Sequence, residues 1–238
     1  MALTTVILPV KNEDHSTLVK ILYELEKYGF ETIVVDDGSD EPVIGADVRF
    51  IPPGKGYGAA LKKGIELANT DLVATMDSDG QHAVWDVKRL EDFMIYFHDN
   101  RIDLGHINPD LVIGDRRIRE KSWKRFWGRK FLNWIATIFT RKWIPDLNSG
   151  LRIFKRNIAI GYFPILCNGF SFTTSLTLAM MADGYCVEWI PIKVWPRYHG
   201  TTKVKMWKDG LITLRTIFWI GMALRTRRIR AWLRSRFI

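Results

Sequence analysis

The chain contains little cysteine and no long apolar run. Its 238 residues include two cysteines, Cys167 and Cys186, which are too few for a disulfide framework and indicate a reducing compartment. The N-terminus lacks a cationic segment followed by an apolar one, so no signal peptide is expected. The sequence also has no P-loop and no zinc-type spacing of Cys and His. At this length we expect one domain, or one domain with a small appendage, and a substantial core.

Acidic residues are absent from residues 210–238, which carry seven arginines. The longest apolar run there, Ile217 to Leu224, is much shorter than the roughly 20 residues that a membrane-spanning helix needs. Apolar residues nevertheless recur at helical spacing: Leu211, Leu214, Phe218 and Met222, then Ile229, Trp232, Leu233 and Phe237. The pattern predicts a basic amphipathic helix in the interface of an anionic membrane.

Two other interpretations of these basic residues stay open. The tail could be a helix that packs on its own domain and exposes its arginines. A separate segment, residues 126–143, is a second candidate for an interfacial helix. The tail is basic and aromatic in a chain whose net charge is +9, so it could also bind nucleic acid. No RNA- or DNA-binding motif supports that, and we do not expect a nucleic-acid partner.

Two carboxylates follow an apolar run, Leu72 to Met76, that predicts a buried strand. Alternate residues of an extended segment point the same way, so Asp77 and Asp79 can converge on one point. Their hard oxygens, with the amide oxygen of Gln81, suit Mg²⁺ or Mn²⁺, ions that bridge protein to phosphates. The sequence therefore predicts a metal site at the end of this strand, against the alternative of a solvated acidic turn.

Two earlier runs also predict strands that end in polar residues. Residues 6–10 precede Lys11, residues 32–35 precede the Asp36/Asp37 pair, and a helix with one apolar face is predicted between them at 16–28. Strand, helix and strand form a right-handed parallel crossover, and ligands collect at the carboxyl ends of such strands. Three converging polar ends predict a nucleotide site.

The remaining sequence predicts further elements of both kinds. A glycine-rich turn leads into a helix over 54–69, and Pro191 suggests that its strand lies near an edge of the sheet. The other predictions are helices at 83–100, 121–143 and 172–182, a loop at 101–110, and strands at 111–113, 151–154 and 187–195.

Seven motifs in order give the chain a resemblance to a known family. They are VILPVKNE, VVDDGS, GKGYGAALKKG, MDSDGQH, LVIGDR, DLNSGLR and RYHGTTK, between Thr5 and Lys203. They resemble family 2 glycosyltransferases of the GT-A fold, in the branch of dolichol-phosphate mannose synthases and polyprenyl-phosphate hexosyltransferases. The resemblance implies a single Rossmann-like α/β domain with a mostly parallel central sheet and helices on both faces. We add C-terminal basic amphipathic helices to it.

This resemblance implies a division of the chain and a donor site. Residues 1–209 would form the GT-A domain, with a nucleotide-binding half at 1–82 and an acceptor half at 83–209, and residues 210–238 the interfacial tail. The donor would be a GDP- or UDP-linked hexose, bound with Mg²⁺ or Mn²⁺, and the family commonly has an aromatic residue in place of Lys11. The implied nucleotide-sugar residues are Pro9, Lys11, Glu13, Asp36, Asp37, Lys55, Asp77, Ser78 and Asp79, and the implied metal ligands are Asp77, Asp79 and Gln81.

In this branch the acceptor is a polyprenyl phosphate, dolichyl or undecaprenyl, and the reaction inverts the sugar's configuration. A phosphate is already anionic at neutral pH, so the site needs cations rather than a strong base, and arginine's fork of donors matches phosphate oxygens. The implied acceptor-phosphate residues are Arg116, Arg129, Ser149, Arg197 and Lys203, and the implied catalytic set is Asp79, Arg116, Arg197 and Lys203.

The chain departs from the family pattern in two ways. It reads FSFTT at 170–174, where many dolichol-type enzymes have an acidic residue. Many relatives also carry two transmembrane helices after the basic helix, and none follows here. We therefore expect a peripheral protein on the cytoplasmic face of an anionic membrane, which meets its lipid through interfacial helices or an integral membrane partner.

Two other functions remain open at this point. The acceptor could be a saccharide, a protein or a modified nucleic-acid base, which would need a general base, and Asp146 is the candidate. The chain could also be an inactive module that binds a membrane surface, although intact Asp77, Asp79 and Arg197 disfavour this.

Overall fold

Strands and helices alternate in the first part of the chain. The computed structural model describes residues 2–99, 108–116, 123–140, 142–196 and 210–220. The first elements are β1 (Thr4–Val10), α1 (His15–Lys27), β2 (Glu31–Asp36), β3 (Val48–Arg49), α2 (Tyr57–Leu67) and β4 (Leu72–Thr75). The predicted helix at 16–28 is confirmed: Leu18 and Leu25 are buried, and the Asp14 carboxylate caps the first turn by accepting the Thr17 N–H at 2.8 Å.

Helices predominate in the second part of the chain. The elements are α3 (Val84–Asp99), β5 (Leu111–Arg116), α4 (Trp123–Thr140), β6 (Arg152–Lys155), α5 (Arg156–Tyr162), α6 (Phe172–Ala182) and β7 (Val187–Ile192), and residues 210–220 form a further helix. Each strand and helix predicted here has its counterpart, and the short helix α5 was not predicted. The predicted loop at 101–110 lies mostly outside the described residues.

The seven strands form one sheet in the order β3-β2-β1-β4-β6-β5-β7. Every pairing is parallel except those of β6, which runs antiparallel to both β4 and β5. The predicted mostly parallel sheet is thus confirmed. Because β6 is reversed, the turn that precedes it lies at the same edge as the residues that follow β4 and β5.

Helices cover both faces of this sheet, as predicted. Val6 and Leu8 of β1 point into a core with the apolar faces of α1 and α3. Ile7, between them, points to the opposite core, which includes residues of α2, α4, α5, α6 and the 210–220 helix. The strand β7 forms one edge of the sheet and contains Pro191 in the way the sequence predicted.

The 210–220 helix packs on the domain through a face that the sequence pattern did not select. Ile217 and Ile220 are buried, and the hydroxyl of Thr213 lies 3.1 Å from that of Ser171. Leu211 and Phe218, from the predicted apolar stripe, are 66% and 60% exposed. The helix therefore packs on its own domain and also presents apolar residues outward. Residues 221–238 lie outside the described part, and the boundaries at 82 and 209 stay predictions.

Candidate active site

Polar residues gather where the strands end, at one edge of the sheet. Lys11 follows β1, Asp36 ends β2, Asp77 follows β4 and Arg116 ends β5. The parallel pairing of β1 with β2 and with β4 confirms that the three predicted polar ends converge. The chain order reverses between β1 and β4, and ligands of open α/β sheets bind in the crevice at such a point.

The two acids after β2 hold turns together. Asp36 is fully buried, and its Oδ1 accepts the N–H and the hydroxyl of Ser39, each at 2.7 Å. Asp37 accepts the Gly56 N–H at 3.0 and 3.1 Å and lies 3.5 Å from the Lys11 Nζ. Asp36 therefore shapes its turn from inside, whereas Asp37 and Lys11 line the crevice side by side.

Other predicted donor residues lie around the same crevice. The Ser78 hydroxyl donates to the carbonyl oxygen of Pro9 at 2.8 Å and so joins the ends of β4 and β1. Glu13 is half-buried just before α1. Lys55 is exposed, with its Nζ 4.7 Å from the centre of the Phe50 ring. Their contacts with a nucleotide stay predictions.

The glycine-rich turn before α2 approaches the loop at 167–169 very closely. A Cβ on Gly56 would lie 2.5 Å from the Asn168 oxygen, and one on Gly58 would lie 2.4 Å from the Cys167 oxygen. Gly56 also has a φ of 105°, a backbone conformation that residues other than glycine rarely adopt. The glycines thus permit a contact that places Tyr57, between them, beside Asp77.

Asp77 is held on several sides. The Tyr57 hydroxyl donates to Oδ1 at 2.8 Å, and the His82 Nε2 lies 3.7 Å from Oδ2. Burial raises the pKa of Asp77, but contacts with His82 and Tyr57 and the charge of Arg116 outweigh it, so the pKa lies below its ordinary value. Asp77 is therefore a carboxylate at neutral pH, as a metal ligand must be.

Asp79 and Gln81 share a short turn with Asp77. The Asp79 Oδ1 accepts the Gln81 N–H at 3.0 Å. The Gln81 side chain donates through Nε2 to the Trp195 carbonyl at 3.3 Å, which leaves its amide oxygen on the other side of the group. The backbone N–H of Trp195 donates to the Gln81 carbonyl at 2.9 Å. The turn is thus tied to the chain just after β7.

The side chains of Asp77, Asp79 and Gln81 have the chemistry of ligands for a divalent cation. Gly150 provides the space for Asp77, because a Cβ there would lie 2.3 Å from its Oδ2. Within the described ranges, no group of three or more His, Cys, Asp or Glu side chains could hold a metal by itself. Two carboxylates and one amide leave coordination positions that diphosphate oxygens would fill.

Arg116 and Asp146 form a bidentate ion pair on the other side of the crevice. The Arg116 Nε donates to Oδ2 at 2.8 Å and Nη2 donates to Oδ1 at 3.0 Å. Asp146 is 1% exposed, and its oxygens also accept the backbone N–H groups of Arg116 and Asn148. Asp146 is therefore an anchor for the guanidinium, and its carboxylate is not available as the general base considered from the sequence.

Arg152 is a buried cation beneath the site. Its guanidinium donates to the carbonyl oxygens of Ser149 and Thr173 and to the Thr177 hydroxyl. Burial lowers the pKa of Arg152 to about 10. Ser149 is fully buried and its Oγ has no hydrogen-bond partner among the described residues, so its role toward the acceptor phosphate stays a prediction.

Three predicted acceptor residues are not tested by this geometry. Arg129 lies within α4, four residues before Asn133, and its side chain lies outside the described part. Arg197 and Lys203 belong to residues 197–209, also outside it. Arg197 follows Trp195, the residue tied to Gln81, by two positions.

Sequence reasoning missed Tyr57, His82 and Arg152 as parts of the site. Each stands inside a motif that was used for its other residues: Tyr57 between two glycines, His82 next to Gln81, and Arg152 at the start of a strand. A charged residue in an otherwise apolar strand was the signal for Arg152.

Two curated proteins of similar sequence carry names that refer to polyprenyl lipids. The chain is 28% identical over 196 residues to an undecaprenyl-phosphate 4-deoxy-4-formamido-L-arabinose transferase of Aeromonas hydrophila, covering 71% of this chain and 56% of that one. It is 26% identical over 194 residues to a polyprenol monophosphomannose synthase of Mycolicibacterium smegmatis, covering 72% of this chain and 69% of that one. The chain thus spans little more than half the length of the first relative.

A solved structure has a similar fold. Glucosyl-3-phosphoglycerate synthase from Mycobacterium tuberculosis, in complex with Mn²⁺, UDP and phosphoglyceric acid, superposes with a TM-score of 0.68 at 15% identity over 92% of this chain and 78% of that one. At this identity the likeness concerns the fold alone, which is of the GT-A type. The sequence model of glycosyl transferase family 2 matches residues 5–163, well over half of the chain. The chain is therefore a glycosyltransferase and belongs to family 2.

Proposed function

We propose that the protein transfers a hexose, with inversion, from a nucleoside diphosphate sugar to a polyprenyl phosphate. The names of its relatives support this acceptor class, since both the arabinose transferase and the mannose synthase are named for lipid phosphates. The UDP bound to the solved neighbour supports a nucleoside diphosphate in the crevice. Either GDP or UDP is compatible with the proposal.

The donor site would hold its diphosphate with a divalent cation. Asp77, Asp79 and the amide oxygen of Gln81 would supply the protein ligands for Mg²⁺ or Mn²⁺. Such an ion neutralises the charge that grows on the leaving diphosphate. The chain's own contribution is to orient these oxygens, through Tyr57 and His82 for Asp77 and through Trp195 for Gln81.

The Arg116–Asp146 pair is the observation that carries the acceptor assignment. Both carboxylate oxygens of Asp146 accept hydrogen bonds from the Arg116 guanidinium, so this part of the crevice offers a fixed cation rather than a base. A cation suits a phosphate acceptor, whose oxygen is already ionised, whereas a sugar or protein hydroxyl needs a base.

Exposed aromatic residues on α4 suggest how the lipid is reached. Trp127, Phe131, Trp134 and Ile138 recur at helical spacing, and each is more than half exposed. We name these four residues the α4 stripe. The same helix is fixed next to the acceptor side, since the Asn133 side chain donates to the Pro145 carbonyl at 2.7 Å, one residue before Asp146. Among the described helices, none is both long and apolar enough to cross a bilayer.

We propose that the α4 stripe lies in a membrane interface, together with Leu211 and Phe218 of the 210–220 helix. Aromatic side chains favour this depth, and the arginines of residues 210–238 would favour an anionic surface. The protein would then be peripheral on the cytoplasmic face of its membrane. An integral membrane partner remains compatible with this arrangement.

Replacing Trp127 and Trp134 together by Ala should weaken binding to anionic phospholipid vesicles by at least about tenfold, because two large apolar side chains leave the interface. Co-sedimentation with vesicles measures the effect. Trp85→Ala is the matched control, since Trp85 is 45% exposed on α3, on the opposite face of the sheet. Equal binding by the double variant and the wild type would show that α4 does not meet the membrane.

The proposed reaction is tested by product analysis. The purified chain is incubated with a panel of GDP- and UDP-linked hexoses and Mn²⁺, with and without polyprenyl phosphate, and the products are identified by mass. We expect one hexose on the lipid phosphate, formed only when both substrates are present. A parallel incubation replaces the lipid by a saccharide or a protein, and transfer of the hexose there but not to the lipid phosphate would contradict the phosphate acceptor.

A further inference from the structure

Each carboxylate oxygen of Asp77 has a neighbouring polar side chain. The Tyr57 hydroxyl donates to Oδ1 at 2.8 Å, and the His82 Nε2 is 3.7 Å from Oδ2. On a third side the carboxylate packs against Gly150, where a Cβ would lie 2.3 Å from Oδ2 and leave it no room. Three separate elements, α2, the loop after β4 and the turn before β6, thus determine where this carboxylate lies.

His82 occupies a position that packing alone does not explain. Its side chain is 2% exposed, and burying a polar ring costs free energy of folding unless a polar group interacts with it. Among the described residues its Nδ1 has no hydrogen-bond partner. The other ring nitrogen, Nε2, lies within ion-pair distance of the Asp77 carboxylate. A backbone bridge to Val194 fixes the residue from the β7 side.

Tyr57 is fixed just as firmly. Its ring stacks on that of Phe170, with centroids 5.4 Å apart, and the close approach of Gly56 and Gly58 to the 167–169 loop sets its backbone. Burial raises the pKa of the Tyr57 hydroxyl well above its ordinary value, and the charge of Asp77 raises it further. The hydroxyl therefore stays protonated and donates to Asp77.

We propose that Tyr57 and His82 are positioning residues that hold the Asp77 carboxylate in the orientation a divalent cation requires. The proposal deepens the proposed function and rests on its use of Mg²⁺ or Mn²⁺. Neither residue would touch the ion or the substrates. Side chains that orient a metal ligand typically change metal affinity by roughly 10- to 100-fold when they are replaced.

The test measures metal binding rather than turnover. The dissociation constant of Mn²⁺ is determined in the presence of UDP, from the electron paramagnetic resonance signal of free Mn²⁺. Tyr57→Phe removes one oxygen and keeps the stack on Phe170, and we expect it to weaken Mn²⁺ binding about tenfold. Tyr162→Phe is the matched control, because the Tyr162 hydroxyl also donates to a carboxylate, that of Asp183. It should leave Mn²⁺ affinity unchanged.

Two replacements of His82 separate positioning from packing. A Gln side chain can present its amide N–H where the imidazole has Nε2, whereas an Asn side chain presents it where the imidazole has Nδ1. We expect His82→Gln to stay within about threefold of the wild type and His82→Asn to bind Mn²⁺ roughly tenfold more weakly. Thermal unfolding without metal serves as the folding control, and Tyr57→Phe carries the test if a His82 variant fails to fold.

The outcomes distinguish this inference from the proposed function. Weaker Mn²⁺ binding by Tyr57→Phe and His82→Asn, with recovery in His82→Gln, supports the positioning role. If Tyr57→Phe and His82→Asn both bind Mn²⁺ with the affinity of the wild type, while Asp79→Asn loses the metal, this inference alone is overturned. If the wild type with UDP binds no Mn²⁺, the inference and the metal assignment both fail, and the product analysis still decides the transfer reaction.

Discussion

Asp79→Asn is expected to lower the rate of sugar transfer by at least about 100-fold while the protein folds normally. The variant removes one ligand charge from the proposed cation, and the stabilisation that a bound cation gives to a leaving diphosphate amounts to several kcal/mol. The fold should tolerate it, because the Oδ1 of Asn can still accept the Gln81 N–H that Asp79 accepts at 3.0 Å. Turnover at saturating substrates and the metal-free melting temperature measure the two effects.

A matched control and a chelator complete this test. Asp92→Asn makes the same change on α3, at a side chain that is 61% exposed and paired with Lys88, and should leave turnover unaltered. The wild type should lose activity in chelator and regain it with Mn²⁺ or Mg²⁺. Full activity of Asp79→Asn, or of the wild type in chelator, would remove the cation from the mechanism.

Arg116→Lys should raise the KM for polyprenyl phosphate roughly ten- to a hundredfold with little change in affinity for UDP. Lysine keeps the charge but has no planar fork, so it cannot reproduce the two bonds to Asp146 and still present fixed donors to a phosphate. A charge-assisted hydrogen bond contributes about 1.5–3 kcal/mol, which gives this range. Lysine is preferred to alanine because alanine would leave Asp146, 1% exposed, as an uncompensated buried charge.

Arg89→Lys is the corresponding control. Arg89 pairs with Asp86 at 2.7 Å on α3, so the same replacement alters an Arg–Asp pair outside the acceptor residues. Its KM for the lipid should match that of the wild type. If Arg116→Lys instead weakens UDP binding as much as it raises the lipid KM, Arg116 belongs to the donor side.

The sequence predicted the parts of this site that depend on local patterns. Asp77 and Asp79 follow an apolar run, Leu72 to Met76, and this run predicted a strand that ends just before them. Strand direction is different, because an alternating or apolar pattern is the same for a parallel and an antiparallel strand. The reversal of β6 was therefore not predicted, although it brings Asp146 and Gly150 to the same edge as Asp77.

Burial of polar residues was the second limit of sequence reasoning. Asp36 and Ser149 belong to motifs from which a donor and an acceptor role were predicted, and the structure shows both side chains fully buried. A motif shows which residues lie near a site but not which of them shape its backbone from inside. The 210–220 helix shows the same limit, since its inward face includes Thr213 and Thr216, whose polar partners Ser171 and Cys167 are far away in the sequence.

The α4 stripe has a consequence for how the reaction rate would depend on the concentration of the lipid acceptor. From Trp127 to Ile138 it runs about 16 Å along the helix, at 1.5 Å per residue, which is long enough to hold the protein at a fixed tilt. A protein held that way meets its acceptor by diffusion in two dimensions. Its rate would then follow the mole fraction of polyprenyl phosphate in the bilayer: adding inert lipid to the vesicles would slow it, whereas adding buffer around them would not.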